Sequence, residues 1–189
     1  VGVLANLFNV TFRAWHNGAR RVEVPIQDYL QQRLLKNSLP IAVPPFRQPL
    51  IAEFGAQKPL DELGRLLLAG DSRPVRVGVI HGDLHATNVL VRDGDAILID
   101  FEKVEIEGLV LRDLACLEGG LFVDGFVGYR RTPASILESV SCLYIWNELV
   151  TGRVTPCHPT DGSAWFFDCV AQIRMQARQF EYLPGQYAL

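Results

Sequence analysis

The chain is poor in lysine, has no closely spaced cysteines and has no long apolar run. Lys36, Lys58 and Lys103 are its only lysines, and arginine carries the rest of the positive charge. That skew reads as coding bias rather than as chemistry. Cys116, Cys142, Cys157 and Cys169 include no C-x-x-C pair. This argues against a zinc site and a small disulfide scaffold, and leaves reduced thiols as the expectation. No apolar stretch nears the roughly 20 residues of a membrane span, and no basic-then-apolar leader opens the chain. The formal net charge of −3 offers no basic field for nucleic acid. Ahead of residue 79 there is no G-x-G-x-x-G, and no lysine stands in a V-A-x-K strand.

What is present suits a globular protein. Of 189 residues, 49% are apolar and 21% charged, enough to build one real core. "VLANLFNVTFRAWHNGA" sets Leu4, Leu7, Phe8, Phe12 and Trp15 at helical spacing and stops at Asn17-Gly18. Further helices are expected in "PIQDYLQQRLLKNSLP" and "KPLDELGRLLLAG", on either side of a proline-rich connector. The period then changes. "VRVGVI", "NVLVR" and "AILID" have the β-branched alternation of strands, and Arg92-Asp93-Gly94-Asp95 is a tight hairpin signal. After Gly108 helices are expected again, in "LRDLACLEGGLFVDGF", "PASILESVSCLYIWNELVTG" and "SAWFFDCVAQIRMQARQFEYL". The fold class expected is α+β and mainly helical, with a small β-hairpin region.

The polar residues concentrate where the strands are. In "VIHGDLHATNVLVRDGDAILIDFEKV", the eight residues His81–Asn88 hold two histidines, an aspartate and an asparagine between apolar runs. A metal-hydrolase reading takes His81, Asp83 and His85 as ligands on one strand face. It lacks further ligands, because only His16 and His158 remain and neither lies in a suitable turn. A phosphoryl-transfer reading needs an Asp for the attacking hydroxyl, an Asn five residues later and a second Asp after a hairpin. Asp83, Asn88 and Asp100 meet that order and spacing. A third reading makes Asp83 an ordinary turn residue.

"HGDLHATNVLV" followed by "ILIDFE" resembles the catalytic loop and metal-binding strand of the aminoglycoside phosphotransferase and choline kinase-like family, within the protein-kinase-like superfamily. Gly82 stands where protein kinases have Arg, and Glu102 where they have Gly, as in that family. The resemblance covers about residues 79–118. It implies a protein-kinase-like C-terminal lobe in which Asp83 is the catalytic base. Asn88 and Asp100 would then bind Mg²⁺ and, through it, ATP or GTP. His81 and His85 would shape the loop, and Asp113 in "LRDLACLE" would anchor it from beneath. Glu102 is a water-mediated metal contact or a solvated strand end. Lys103 and Arg112 are expected on a solvated surface.

The organisation expected is one lobe over 1–189: leading helices and connector (1–78), catalytic loop and hairpin (79–104) and C-terminal helices (105–189). The family's glycine-rich loop and strand lysine have no counterpart here, so the N-terminal lobe is expected to be absent. The function expected is transfer of a phosphoryl group to a hydroxyl of a small molecule in the cytoplasm, without nucleic-acid or membrane partners. The isolated chain would be weak or inactive. The alternative is a non-catalytic kinase-fold interaction module of a larger bacterial signalling or defence protein.

Overall fold

The computed structural model describes residues 2–25, 72–126, 140–144, 164–183 and 186–188. The chain forms two compact units, one of Val1–Val22 with Val75–Leu189 and one of Glu23–Pro74. The candidate site lies wholly in the first unit.

The N-terminal apolar spacing produces an almost continuous helical run: α1 (Gly2–Asn6), a π-helical stretch (Leu7–Thr11) and α2 (Arg13–Asn17). Phe12 N donates to Leu7 O, the wider spacing of a π turn. Leu7, Phe8, Phe12 and His16 are buried along this run. β1 (Arg20–Pro25) follows directly, in a stretch between two expected helices to which no strand was assigned. "RRVEVP" is short and half charged, so its own pattern is weak. Its strand state comes from pairing with β2 (Ser72–Ile80), which is far away in sequence.

β5 (Glu105–Leu109) was also not foreseen. It pairs antiparallel with β2, giving the order β1-β2-β5 with Val77 opposite Leu109 and Gly78 opposite Gly108. Ile106 on β5 is 78% exposed, so the strand buries no apolar face that an alternation could report. A Cβ on Gly108 would sit 2.1 Å from Ile80 Cδ1, so only glycine allows the two strands to approach there.

The expected hairpin is present as β3 (Val89–Arg92) and β4 (Asp95–Leu98), in register from Val89↔Leu98 to Arg92↔Asp95. Asp93 and Gly94 at the turn have φ of 54° and 90°. Positive φ at both central residues matches the right-handed strand twist of a two-residue hairpin.

α3 (Val110–Gly120) continues into a π-helical stretch (Leu121–Phe126), and α4 (Ala164–Arg178) packs against both. The stripe of α4 serves two clusters. Ile173 and Ala177 join Leu7, Phe12, Ile80, Leu84, Leu98, Leu114 and Leu117, while Phe166, Phe167 and Val170 join Phe126, Val140 and Leu143. Full burial of each large side chain contributes about 1.5–3 kcal/mol. Between the two helices lies an ion pair, Arg174 Nη2 to Glu118 Oε1 at 2.6 Å, with the arginine side chain 2% exposed. Leu143 O and Tyr187 OH satisfy further atoms of this pair.

The fold is thus mixed helix and strand with small sheets, and strand is more prominent than expected. The helices expected in "PIQDYLQQRLLKNSLP" and "KPLDELGRLLLAG" lie outside the described residues. So does most of "PASILESVSCLYIWNELVTG", of which Ser141–Tyr144 is a 3₁₀ turn. The expectation of reduced thiols is corrected at Cys142, which is disulfide-bonded, while Cys116 and Cys169 are free. Sequence spacing cannot report the Cα approach on which a disulfide depends. Among the described residues, no helix is long and apolar enough to cross a membrane.

Candidate active site

β2 drives into the core at Ile80 and delivers His81, which is fully buried. The chain then leaves the sheet because Gly82 takes φ +80°. A methyl group there would meet Lys103 O at 2.0 Å, so the turn demands glycine on both conformational and steric grounds. Asp113, in the first turn of α3, holds this turn from below. Its Oδ2 accepts from His81 N at 2.6 Å and its Oδ1 from Gly82 N at 2.9 Å. Burial pushes the Asp113 carboxyl above its ordinary value, against the lowering effect of these two bonds. Arg112 clamps the same turn from the side, donating to Gly82 O and to Glu105 Oε1, each at 2.7 Å.

Asp83 follows with its side chain turned outward. Its Oδ2 pairs with Lys103 Nζ at 2.6 Å, and the side chains are 38% and 60% exposed. The Lys103 ammonium holds the Asp83 carboxyl below the usual carboxylate range, mainly through this hydrogen bond. Asp83 is therefore an ionised acceptor at neutral pH.

Asn88 ends a 3₁₀ turn (Ala86–Asn88) and is buried. Its Nδ2 donates to Asp83 O at 2.9 Å and lies 3.1 Å from His85 Nε2. The other His85 nitrogen, Nδ1, is 2.8 Å from Thr87 Oγ1, so the His85 ring is spent on shaping the loop. His81 Nε2 meets Ile99 O at 2.8 Å, which ties the loop to the end of β4. Ile99 N in turn donates to Asn88 O, extending the hairpin ladder by one step beyond Val89↔Leu98.

Asp100 is the next residue and is exposed. It takes φ 62°, ψ 67°, a left-handed conformation that costs a non-glycine residue about 1 kcal/mol. Phe101–Lys103 then form a 3₁₀ turn, which returns Lys103 to Asp83. The ladder sets Asp100 one residue past Ile99, which donates to Asn88 O, and the Lys103 bridge ties the following turn to Asp83. His81 is buried beneath, its ring against Phe101.

The metal-hydrolase reading fails on this geometry. Residues 81–85 form a loop rather than a strand, and His81, Asp83 and His85 have separate partners. Among the described residues, no group of three or more His, Cys, Asp and Glu could hold a metal ion. The oxygens that a hard cation would have to use here are Asn88 Oδ1, whose amide nitrogen is engaged by Asp83 O, and the exposed Asp100 carboxylate, one residue past Ile99, whose N–H donates to Asn88 O.

Lys103 is exposed, as expected, yet pairs with Asp83, whereas Arg112, expected on a solvated surface, is half-buried on Gly82 O and Glu105. The signal for Lys103 was its place three residues beyond Asp100, in the turn that closes the hairpin. Nothing local marked Arg112, whose target lies on another element.

The loop, hairpin and α3 all fall within a stretch that matches a known family model. Comparison with curated proteins and with solved structures found no match. The model matches residues 50–179, more than half of the chain, and the chain belongs to the family described as ternary complex associated domain 9.

Proposed function

We propose that the chain is the catalytic part of a nucleotide-dependent phosphotransferase acting on a hydroxyl of a small molecule. The observation that carries this reading is the double tie of Asn88, by its side chain to Asp83 O and by its backbone to Ile99 beside Asp100. Three oxygen-bearing side chains then serve one locus. Asp83 would orient the acceptor hydroxyl and take its proton, a positioning role suited to a carboxylate that is already ionised. Asn88 Oδ1 and the Asp100 carboxylate would hold Mg²⁺, which supplies charge neutralisation for the phosphates of ATP or GTP when bound. Asp113 and Arg112 hold the backbone that carries Asp83. His81 and His85 maintain loop shape through Ile99 and Thr87.

The test is phosphoryl transfer from radiolabelled ATP or GTP, with Mg²⁺, to amino-sugar and choline-type acceptors by the full-length protein. Asp83→Asn and Asp100→Asn are each expected to lower kcat by about 10²-fold or more. Parent-level transfer in both variants would remove the mechanism.

A second reading has its own support. The family description names association with a ternary complex, and Leu90, Val91, Phe101 and Ile106 are each more than half exposed. On that reading the unit is a kinase-fold interaction module of a larger assembly. Absence of transfer and of Mg²⁺-nucleotide binding, together with a stable complex that Leu90→Asp disrupts, would decide for it.

A further inference from the structure

A cleft of about 480 Å³ opens in the first unit, away from Asp83, between the N-terminal helical run and the end of α4. Its described lining carries two guanidiniums, Arg13 and Arg76, and carboxamides that include Asn9 and Gln179. No carboxylate is among the described residues that line it. Phe180 forms an apolar wall, and the Arg76 guanidinium lies 5.9 Å from its ring centroid and 5.1 Å from that of Tyr182.

His16 supplies a second, independent observation. It is 6% exposed, lines the cleft, and among the described residues neither ring nitrogen has a hydrogen-bond partner. The ring stacks on Phe12 at 5.0 Å and meets Phe180 edge-on at 4.6 Å, so its orientation is set by packing. Buried imidazole nitrogens without partners are costly, and native proteins retain them where something else completes them. Burial lowers the His16 pKa to about 4, so at neutral pH the ring offers one donor and one acceptor without charge. Arg76 Nε is likewise buried and has no hydrogen-bond partner among the described residues. Asn9 lies in the π-helical stretch, an irregularity often found at functional sites.

We propose that this cleft binds a small organic oxyanion, a phosphate ester or a carboxylate, held by the Arg13 and Arg76 forks and hydrogen-bonded to His16. The guanidinium fork matches either oxyanion in two-point geometry, and the absence of carboxylates among the described lining residues disfavours cations. The volume suits a ligand of metabolite size. This proposal is independent of phosphotransfer at Asp83.

The experiment titrates the full chain with inorganic phosphate, citrate and choline at constant ionic strength, following the His16 ring resonances by NMR. Phosphate or citrate should give saturable shifts of His16, with choline silent, and whichever anion binds more tightly identifies the source chemistry. Arg13→Gln alters an exposed side chain and is expected to keep the fold, while raising the apparent Kd about tenfold. Saturation by choline, His16 signals unmoved by both anions, or an unchanged Kd in Arg13→Gln would each overturn the proposal.

Discussion

Lys103 Nζ and Asp83 Oδ2 form a 2.6 Å ion pair that closes the hairpin back onto the loop before it. The pair is exposed, so solvent screening keeps its contribution to stability small. Its main effect is on the acid-base state of Asp83. Lys103→Ala removes the largest influence lowering the Asp83 pKa, so the carboxyl should titrate at higher pH, nearer an ordinary aspartate. Carboxyl-carbon NMR of Asp83 checks this. An unmoved titration curve would show that the pair does not persist in solution.

Gly82→Ala tests the turn itself. At φ +80° the added methyl is strained, and its position 2.0 Å from Lys103 O forces the backbone apart. A loss of about 1–3 kcal/mol in urea unfolding is expected. Wild-type stability in this variant would mean that the turn relaxes freely.

Asp113→Asn leaves one oxygen to serve two backbone donors and sets an amide N–H against the other donor. The expected cost is about 1–3 kcal/mol, with faster hydrogen exchange at the His81 and Gly82 amides. If exchange at both sites stays slow, the carboxylate is not what holds the turn.

The Arg174–Glu118 pair calls for a double-variant cycle. Arg174→Met strands a buried carboxylate and should cost about 3–5 kcal/mol. Adding Glu118→Leu should recover most of that loss, because the desolvation penalty goes with the charge. A double variant no more stable than Arg174→Met would contradict this account.

His16 makes stability depend on pH. Its folded pKa of about 4 lies below the ordinary 6.5, so between these values the unfolded chain binds more protons than the folded one. Stability is therefore fully present above about pH 6.5 and falls as pH drops toward 4, by up to about 3 kcal/mol. Asp113 acts in the opposite sense, since its raised pKa favours the folded state as pH falls. The measurement is thus the difference between wild type and His16→Phe, which should lose the fall but keep the Asp113 contribution. Parallel pH curves for the two proteins would remove His16 as the cause.

Elements that depend on local chemistry were legible before any coordinates. The Asp93-Gly94 turn requires positive φ and advertises it, and Leu7, Phe8 and Phe12 mark a helical stripe. Asp83, Asn88 and Asp100 stood out as polar positions at a spacing that phosphoryl transfer would use. β1 and β5 were missed because they gain their strand state from β2 and carry little apolar alternation. Lys103 and Arg112 look like any surface cation until their partners are known, and Cys142 gives no sign of its disulfide.

The residue types along 79–104 set the turn conformations and the order in which polar groups appear, since backbone sterics act between near neighbours. The folded chain alone settled which charges meet: Asp113 beneath Gly82, Lys103 on Asp83, Arg174 on Glu118, and His16, with no hydrogen-bond partner among the described residues, lining one cleft with Arg13 and Arg76. Those meetings depend on how helices and sheet pack across long stretches of chain. Packing is a property of the whole core, and no short window of residues encodes it.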